Sequence, residues 1–459
     1  MLERNAGSFR DPSGYVYEAG GSIYRSVAPR AAADYEAARD SGVFDSLVGA
    51  EKLVALSEVE KGKQAGEAYL LEHPRLPFIS YPYEWSFSLL RDAALFHLDL
   101  HLQLLDRGFT LSDASAYNVQ FDGPRPIFID HLSIRRYQQG EFWLGHRQFC
   151  EQFLNPLLLR AIFGVAHNSW YRGNLEGIPT DELAKLLSLR NKLSWNVMTH
   201  VVVPNRFQQR TAGGEEVASK LTKRSLPLAS FKALLKQLRN WIAKLRPDRI
   251  GATVWEDYAK NNTYTTDEEA QKRQFVHDFV ASEHPASIID LGCNTGEYSK
   301  VALDAGAEQA LGFDFDQKAL DVAHHRAKEQ SLNFLPLFLD AKNPSPSQGW
   351  RQMERSGHDA RAKADAVLAL AFEHHLAIAH NAPLDQVIPW IIDRAPSGIL
   401  EFVPKDDPTI RQMLALREDI FDEYTKENFE KILAASSRIE RSLETSQSGR
   451  TVYQYSRHC

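Results

Sequence analysis

The segment Ile288-Ile289-Asp290-Leu291-Gly292-Cys293-Asn294-Thr295-Gly296 constrains this chain more than any other. An apolar run of strand type ends beside a carboxylate and passes into a glycine-rich turn. Glycine lets a bound group approach the backbone because it lacks a Cβ and tolerates positive φ. Asn294 stands between the two glycines, and Asn visits the left-handed region more readily than most residues. The pattern is a strand, turn and helix built to hold a cofactor at the edge of a sheet.

The remainder of the second half supports that reading. Apolar runs at 286–291, 310–315, 333–339, 364–370 and 398–403 alternate with helical stretches. Connections of that length imply an α/β domain with a mostly parallel sheet and helices on both faces. Runs at 436–443 and 451–456 read as an antiparallel pair at the sheet edge. Asp290 at the end of the first strand suits the cationic amino group of an amino-acid-bearing cofactor, which a diphosphate lacks. Asp314 at the end of the second suits a pair of ribose hydroxyls, Phe315 an adenine face, and Asp340-Ala341 the adenine amino group.

With these residues in place, Asp290-Leu291-Gly292-Cys293-Asn294-Thr295-Gly296 resembles the first motif of class I S-adenosylmethionine-dependent methyltransferases, Asp-x-Gly-x-Gly-x-Gly, with Asn294 at the middle glycine. The resemblance covers roughly 255–459. It implies a Rossmann-like fold, S-adenosylmethionine as cofactor, a cofactor site of Asp290, Gly292, Asn294, Gly296, Asp314, Phe315, Asp340 and Ala341, and an aromatic lid to which Tyr264 belongs. Rossmann-like dehydrogenases share the turn but not the ordered set of three acids.

Methyl transfer is an in-line displacement, so the protein aligns the acceptor and removes its proton where the acceptor is a hydroxyl. His374 and His375 follow the fourth strand, where imidazole suits a general base and Glu373 can orient a ring. Glu401 and Lys405 end the fifth strand and are candidates for a hydroxylated acceptor. No metal is expected: His374, His375 and His380 lack a carboxylate partner, and Cys150, Cys293 and Cys459 are too few and scattered for a cysteine zinc site or a disulfide framework.

The first half reads as α+β and mostly helical. Residues 14–18 and 22–27 flank Ala19-Gly20-Gly21 as a hairpin, a helix runs from Ser86 to about Arg107, and a second hairpin spans 119–129. Asp113, Asn118 and Asp130, in the order helix, loop, hairpin, resemble the catalytic loop and metal-binding Asp of protein kinases and aminoglycoside phosphotransferases. Leu111-Ser112 replaces the usual lead-in, His131-Leu132-Ser133 follows Asp130, no glycine-rich phosphate loop is seen, and Arg25 stands in for the lysine. These departures imply a degenerate kinase-like domain over 1–203 that helps recognise the acceptor, with Mg-ATP a ligand only if the domain is active. Kinase-like and methyltransferase parts in one chain resemble nodulation-type bacterial methyltransferases, and enzymes that cap surface polysaccharides with the domains reversed. Both imply a small-molecule or carbohydrate (glycoconjugate) acceptor.

Between the two lies a basic helical linker, 204–250, and the methyltransferase domain is expected over 251–459. Phe231, Leu234, Leu235, Leu238, Trp241, Ile242 and Leu245 form one apolar stripe after Ser230 as N-cap, so peripheral membrane contact through 230–246 is one expectation. Across the 459 residues, 53 Lys and Arg against 60 Asp and Glu give a net charge of −7, which argues against nucleic acid as a partner. No signal peptide or transmembrane run is seen, which suggests the cytoplasm. A bifunctional kinase-methyltransferase, an RNA methyltransferase and a non-catalytic scaffold remain open alternatives, and no feature specifies an oligomeric state.

Overall fold

The computed structural model describes residues 2–203, 225–247, 266–415 and 417–458. The chain forms two compact units, one of residues 1–250 with 348–355 and one of 251–347 with 356–459.

In the first unit, β1 (Glu3–Arg4), β2 (Val16–Ala19), β3 (Ser22–Val27), β4 (Ser57–Glu58) and β5 (Tyr69–His73) form an antiparallel sheet in the order β1-β2-β3-β5-β4. The β2–β3 hairpin turns through Gly20 and Gly21, both at positive φ. Helix Phe87–Asp106 starts where Ser86 accepts a hydrogen bond from the Leu89 amide, at 3.4 Å, and stops before Gly108, whose φ is 80°. Its apolar spacing turns Leu89, Leu90, Ala93, Ala94, His97, Leu98, His101 and Leu105 inward. β6 (Phe109–Leu111) pairs with β9 (Ile134–Arg136), and β7 (Val119–Asp122) with β8 (Arg125–Phe128), the second hairpin read from the sequence.

The amphipathic helix runs Leu228–Ile242 and starts after Pro227, so Ser230 lies inside it and is not the cap. Phe231, Leu235, Leu238 and Ile242 are buried. The Phe231 ring meets His101 edge-on at 5.4 Å, and Arg239 and Lys232 reach Asp99 and Asp106 of helix Phe87–Asp106 at 2.6 and 2.7 Å. This part of the apolar stripe is therefore packed inside the first unit, while Leu234, Trp241 and Leu245 stay partly exposed. The same packing makes this helix part of the first unit and not of a free linker. Among the described residues no helix is long and apolar enough to cross a membrane.

The second unit carries β10 (Ser287–Leu291), β11 (Gln309–Asp314), β12 (Phe334–Phe338), β13 (Ala366–Ala369), β14 (Ser397–Phe402), β15 (Ser437–Glu444) and β16 (Thr451–Arg457) in one sheet ordered β12-β11-β10-β13-β14-β16-β15. The first five are parallel, and β16 joins β14 and β15 antiparallel. Neighbouring residues Ile288 and Ile289, and Val367 and Leu368, are all fully buried. Successive side chains point to opposite faces, so both faces of the central strands are covered, as parallel sheets require. Phe275, Phe279 and Val280 of helix Thr266–Glu283 pack with Ile288, Leu368 and Ile399, while Leu320, Ala323 and Ala327 of helix Gln317–Glu329 pack with Ala310 and Phe334.

Candidate functional site

β10 delivers its chain into the loop at the carboxyl edge of the sheet. There Gly292, Asn294 and Gly296 all take positive φ, at 76°, 49° and 79°. The Gly292 and Cys293 amides donate to the Phe313 carbonyl at 2.8 and 3.1 Å, tying the loop to the end of β11. A Cβ on Gly296 would stand 2.4 Å from the Phe334 ring, and one on Gly292 3.0 Å from Phe372. Both positions thus demand glycine for conformation and for space. Helix Glu297–Asp304 starts immediately afterwards.

Two carboxyl groups flank this loop. Asp290 is buried and accepts a hydrogen bond from the Ser299 hydroxyl at 2.6 Å. Asp314 accepts from the Asn294 amide at 2.8 Å through one oxygen and from the Asp316 amide at 2.7 Å through the other. Its carboxylate therefore holds the left-handed Asn294 in place, and its lone pairs leave room for a further donor. Burial pushes both carboxyls up to about 6, against the amide and hydroxyl donors that favour the charged forms.

A raised carboxyl retains its proton in the folded state after the unfolded chain has lost it. Stability of the ligand-free unit is therefore expected to fall as pH rises from about 4 to about 6, then level off. A cationic group or hydroxyls bound to these oxygens favour the charged forms, so cofactor affinity is expected to rise over the same window. Denaturation and binding titrations between about pH 4 and about pH 6 read the two opposite slopes, and slopes of the same sign would contradict the assignment.

Phe315, at the end of β11, is 57% exposed and lies 5.6 Å from the Phe338 ring. A large apolar side chain left open beside a glycine loop fits an aromatic ligand face. Asp340 and Ala341 follow β12, both partly exposed, and the Asp340 carbonyl accepts from the Asn343 amide at 2.9 Å. Tyr264, with Trp255 and Tyr258, lies outside the described residues. The positive-φ cradle, the two acids that keep free lone pairs and the open Phe315 together fit an adenosyl cofactor.

At the end of β13 the backbone is strained: Ala371 takes φ 50°, a conformation that costs a residue with a Cβ about 1–2 kcal/mol. His374 is fully buried, its ring nitrogens lack hydrogen-bond partners among the described residues, and Nδ1 is 3.6 Å from Glu373 Oε2, beyond hydrogen-bond length. The His375 ring lies 4.1 Å from it, tilted by 38°, and is half-buried, with burial and the neighbouring histidines holding its pKa well below the usual value. Glu373 does not orient a ring as expected from the sequence. Its Oε1 instead accepts from the Tyr424 hydroxyl at 2.8 Å and the Val403 amide at 3.3 Å, bracing the loop after β14. Ala371→Gly is expected to stabilise the protein by about 1 kcal/mol, or about 2–4 °C in Tm. Thermal unfolding checks this, and a stabilised variant that turns over more slowly marks the strain as functional.

Glu401 and Lys405 do not form an open polar patch. Glu401 is fully buried, with Lys272 Nζ 2.5 Å away, and Lys405 pairs with Asp419 at 2.8 Å. Nearby, buried Arg450 donates to both oxygens of Asp407, at 2.7 and 2.8 Å. Sequence reasoning missed Lys272, Arg450 and Asp407, whose partners are 129 and 43 residues away.

In the first unit Asp113, Asn118 and Asp130 come together. Asn118 Nδ2 donates to Asp113 Oδ1 at 3.1 Å and to Asp130 Oδ2 at 3.3 Å. Arg25 is ion-paired with Asp11 and lies 3.8 Å from Asp130. Burial and the charge of Asp130 push the Asp113 carboxyl up to about 7. Arg25 thus already supplies the positive charge that Asp130 faces.

A parallel sheet with an antiparallel edge, a glycine loop after its central strand and acids at adjoining strand ends define the second unit as a Rossmann-like domain of the methyltransferase class. The chain belongs to the NoeA family: it is 52% identical over 459 residues to nodulation protein NoeA of Rhizobium meliloti (strain 1021), a match covering 99% of this chain and 96% of that protein. Over 153 residues it is 25% identical to the ribosomal protein L11 methyltransferase of Serratia proteamaculans (strain 568), spanning 28% of this chain and about half, 52%, of that relative. Among solved structures, magnesium protoporphyrin IX methyltransferase from Synechocystis PCC 6803 with bound SAM matches 45% of this chain and 92% of its own, at 20% identity and a TM-score of 0.31. WbdD matches 48% of this chain and 47% of its own, at 18% identity and a TM-score of 0.32. No family model matches the chain.

Proposed function

We propose that this chain transfers a methyl group from S-adenosylmethionine to a small-molecule or carbohydrate acceptor, with the first unit contributing to acceptor recognition. The observation that carries this is the alignment of Asp290, the positive-φ loop Gly292–Gly296 and Asp314 at adjoining strand ends. When bound, the cofactor supplies an electrophilic methyl group. Asp314 holds the ribose hydroxyls, Asp290 the amino end, Phe315 covers the adenine and Asp340-Ala341 borders it. Of the two histidines, half-buried His375 is the better placed to meet an acceptor proton, while the fully buried His374 ring packs against it.

For the first unit, the network of Asp113, Asn118, Asp130 and Arg25 supports a recognition role over phosphoryl transfer, because Arg25 competes with a metal for Asp130. The kinship with a nodulation protein and the resemblance to nodulation-type methyltransferases support a carbohydrate or glycoconjugate acceptor. The test is incubation of the full chain with methyl-labelled S-adenosylmethionine and fractionated carbohydrate and small-molecule extracts. Label in a carbohydrate fraction, lost with Asp314→Ala, supports the reading. No binding of S-adenosylmethionine overturns it.

A further inference from the structure

Away from the cofactor loop and from the Asp113–Asp130 cluster, the first unit gathers His146, Cys150 and His200 around one point. His146 Nε2 lies 3.0 Å from His200 Nδ1 and 3.7 Å from Cys150 Sγ, and the three atoms fall within 4.8 Å of one another. Tetrahedral zinc, with Zn–N of about 2.0–2.1 Å and Zn–S of about 2.3 Å, separates two nitrogen ligands by about 3.4 Å and a nitrogen from a sulfur by about 3.6 Å. The two measured edges already approach those of a metal-centred tetrahedron.

The local backbone is built toward this convergence. His146 and Cys150 are four apart, on one face of the helical run that begins at His146. Cys150 opens a π-helical turn, Cys150–Leu154, and His200 sits in the middle of another, Met198–Val202. Such turns are rare and concentrate at functional sites, because the extra residue re-aims a side chain at the cost of helical hydrogen bonding.

The surroundings are apolar and aromatic. Trp143 meets His146 at 5.3 Å and Trp241 stacks on His200 at 6.1 Å, while neighbouring Glu151 is engaged by Arg147 at 3.0 Å. Cys150 and His200 are buried and His146 nearly so. Among the described residues the hydrogen bonds of these three side chains run only to one another, and His200 Nε2 has none. Buried polar groups ordinarily find stronger partners, and a cation shared by all three satisfies them together.

We propose that His146, Cys150 and His200 bind a zinc-class divalent ion, with two imidazoles and one thiolate as ligands and a fourth position left for a non-protein ligand. Imidazole and thiolate select zinc over magnesium or calcium. On binding, the Cys150 thiol releases its proton to solvent and both histidines coordinate as neutral rings. The ion clips the helical run at His146 to the segment carrying His200, 54 residues later.

Untagged full chain, loaded with zinc and dialysed, is expected to retain close to one equivalent by elemental analysis, with X-ray absorption showing one sulfur among nitrogen and oxygen neighbours. Cobalt in place of zinc is expected to give a thiolate charge-transfer band and intense tetrahedral d–d bands, lost in Cys150→Ser. Where Cys150→Ser fails to fold, the wild-type cobalt spectrum and zinc absorption edge still decide. Zinc lost on dialysis, a coordination shell without sulfur, or a Cys150→Ser variant that folds and keeps its metal overturns the proposal.

Discussion

Asp314→Ala is expected to weaken S-adenosylmethionine binding at least about 100-fold. The carboxylate accepts from the Asn294 and Asp316 amides at the edge of the loop, and in the proposed function it also accepts from the ribose hydroxyls. Charge-assisted hydrogen bonds contribute about 1.5–3 kcal/mol each, and losing two corresponds to more than a hundredfold in Kd. The substitution also removes the acceptor of the Asn294 amide and loosens a left-handed turn that this carboxylate holds. Asp314→Asn, which keeps the shape but removes the charge, is expected to fall between. Calorimetric titration of all three proteins measures the effect, with thermal unfolding run alongside to separate lost binding from lost fold. Affinity within threefold of the parent would move the ribose to another strand end.

The second large effect concerns stability. Lys272 of helix Thr266–Glu283 meets Glu401 at the end of β14 at 2.5 Å, with side-chain exposures of 3% and 0%, and the Tyr298 ring lies 4.9 Å from the ammonium. Burial lowers the lysine pKa, while Glu401 acts to restore it. Glu401→Ala removes the carboxylate that faces a buried ammonium and is expected to cost about 3–5 kcal/mol, a large share of the roughly 5–15 kcal/mol that holds a protein of this kind folded. Lys272→Met combined with Glu401→Leu is expected to recover most of that loss, because two apolar side chains carry no desolvation penalty. Urea denaturation of the single and double variants gives the coupling. A single variant within 1 kcal/mol of the parent would show that water reaches the pair.

The contrast between these two sites explains how much of the protein was legible in its sequence. Asp314 was readable because its partners follow from short-range signals: a continuously apolar strand, a glycine turn twenty residues upstream and a second strand end. The strands of the second unit, the helix start at Ser86 and the two hairpins of the first were readable for the same reason. Periodicity and turn chemistry act over a few residues, and each determines its own backbone. By itself, then, the sequence determined the order of elements in the second unit, the glycine loop and the acids that line it.

Only the tertiary structure decided what the long-range partners do. Glu401 reads as a polar strand end and became half of a buried pair because helix Thr266–Glu283 brings Lys272 against it. His374 reads as a base and became a buried ring, because the turn at Ala371 carries it beneath the surface. The stripe Phe231–Ile242 reads more often as a packing face than as a membrane face, and helix Phe87–Asp106 is what its buried side packs on. His146, Cys150 and His200 carry no zinc spacing in sequence, since two π-helical turns and a return of the chain bring them together. In each case the chemistry of a side chain was written locally. Its desolvation, its partner and therefore its charge were set by a segment far away along the chain.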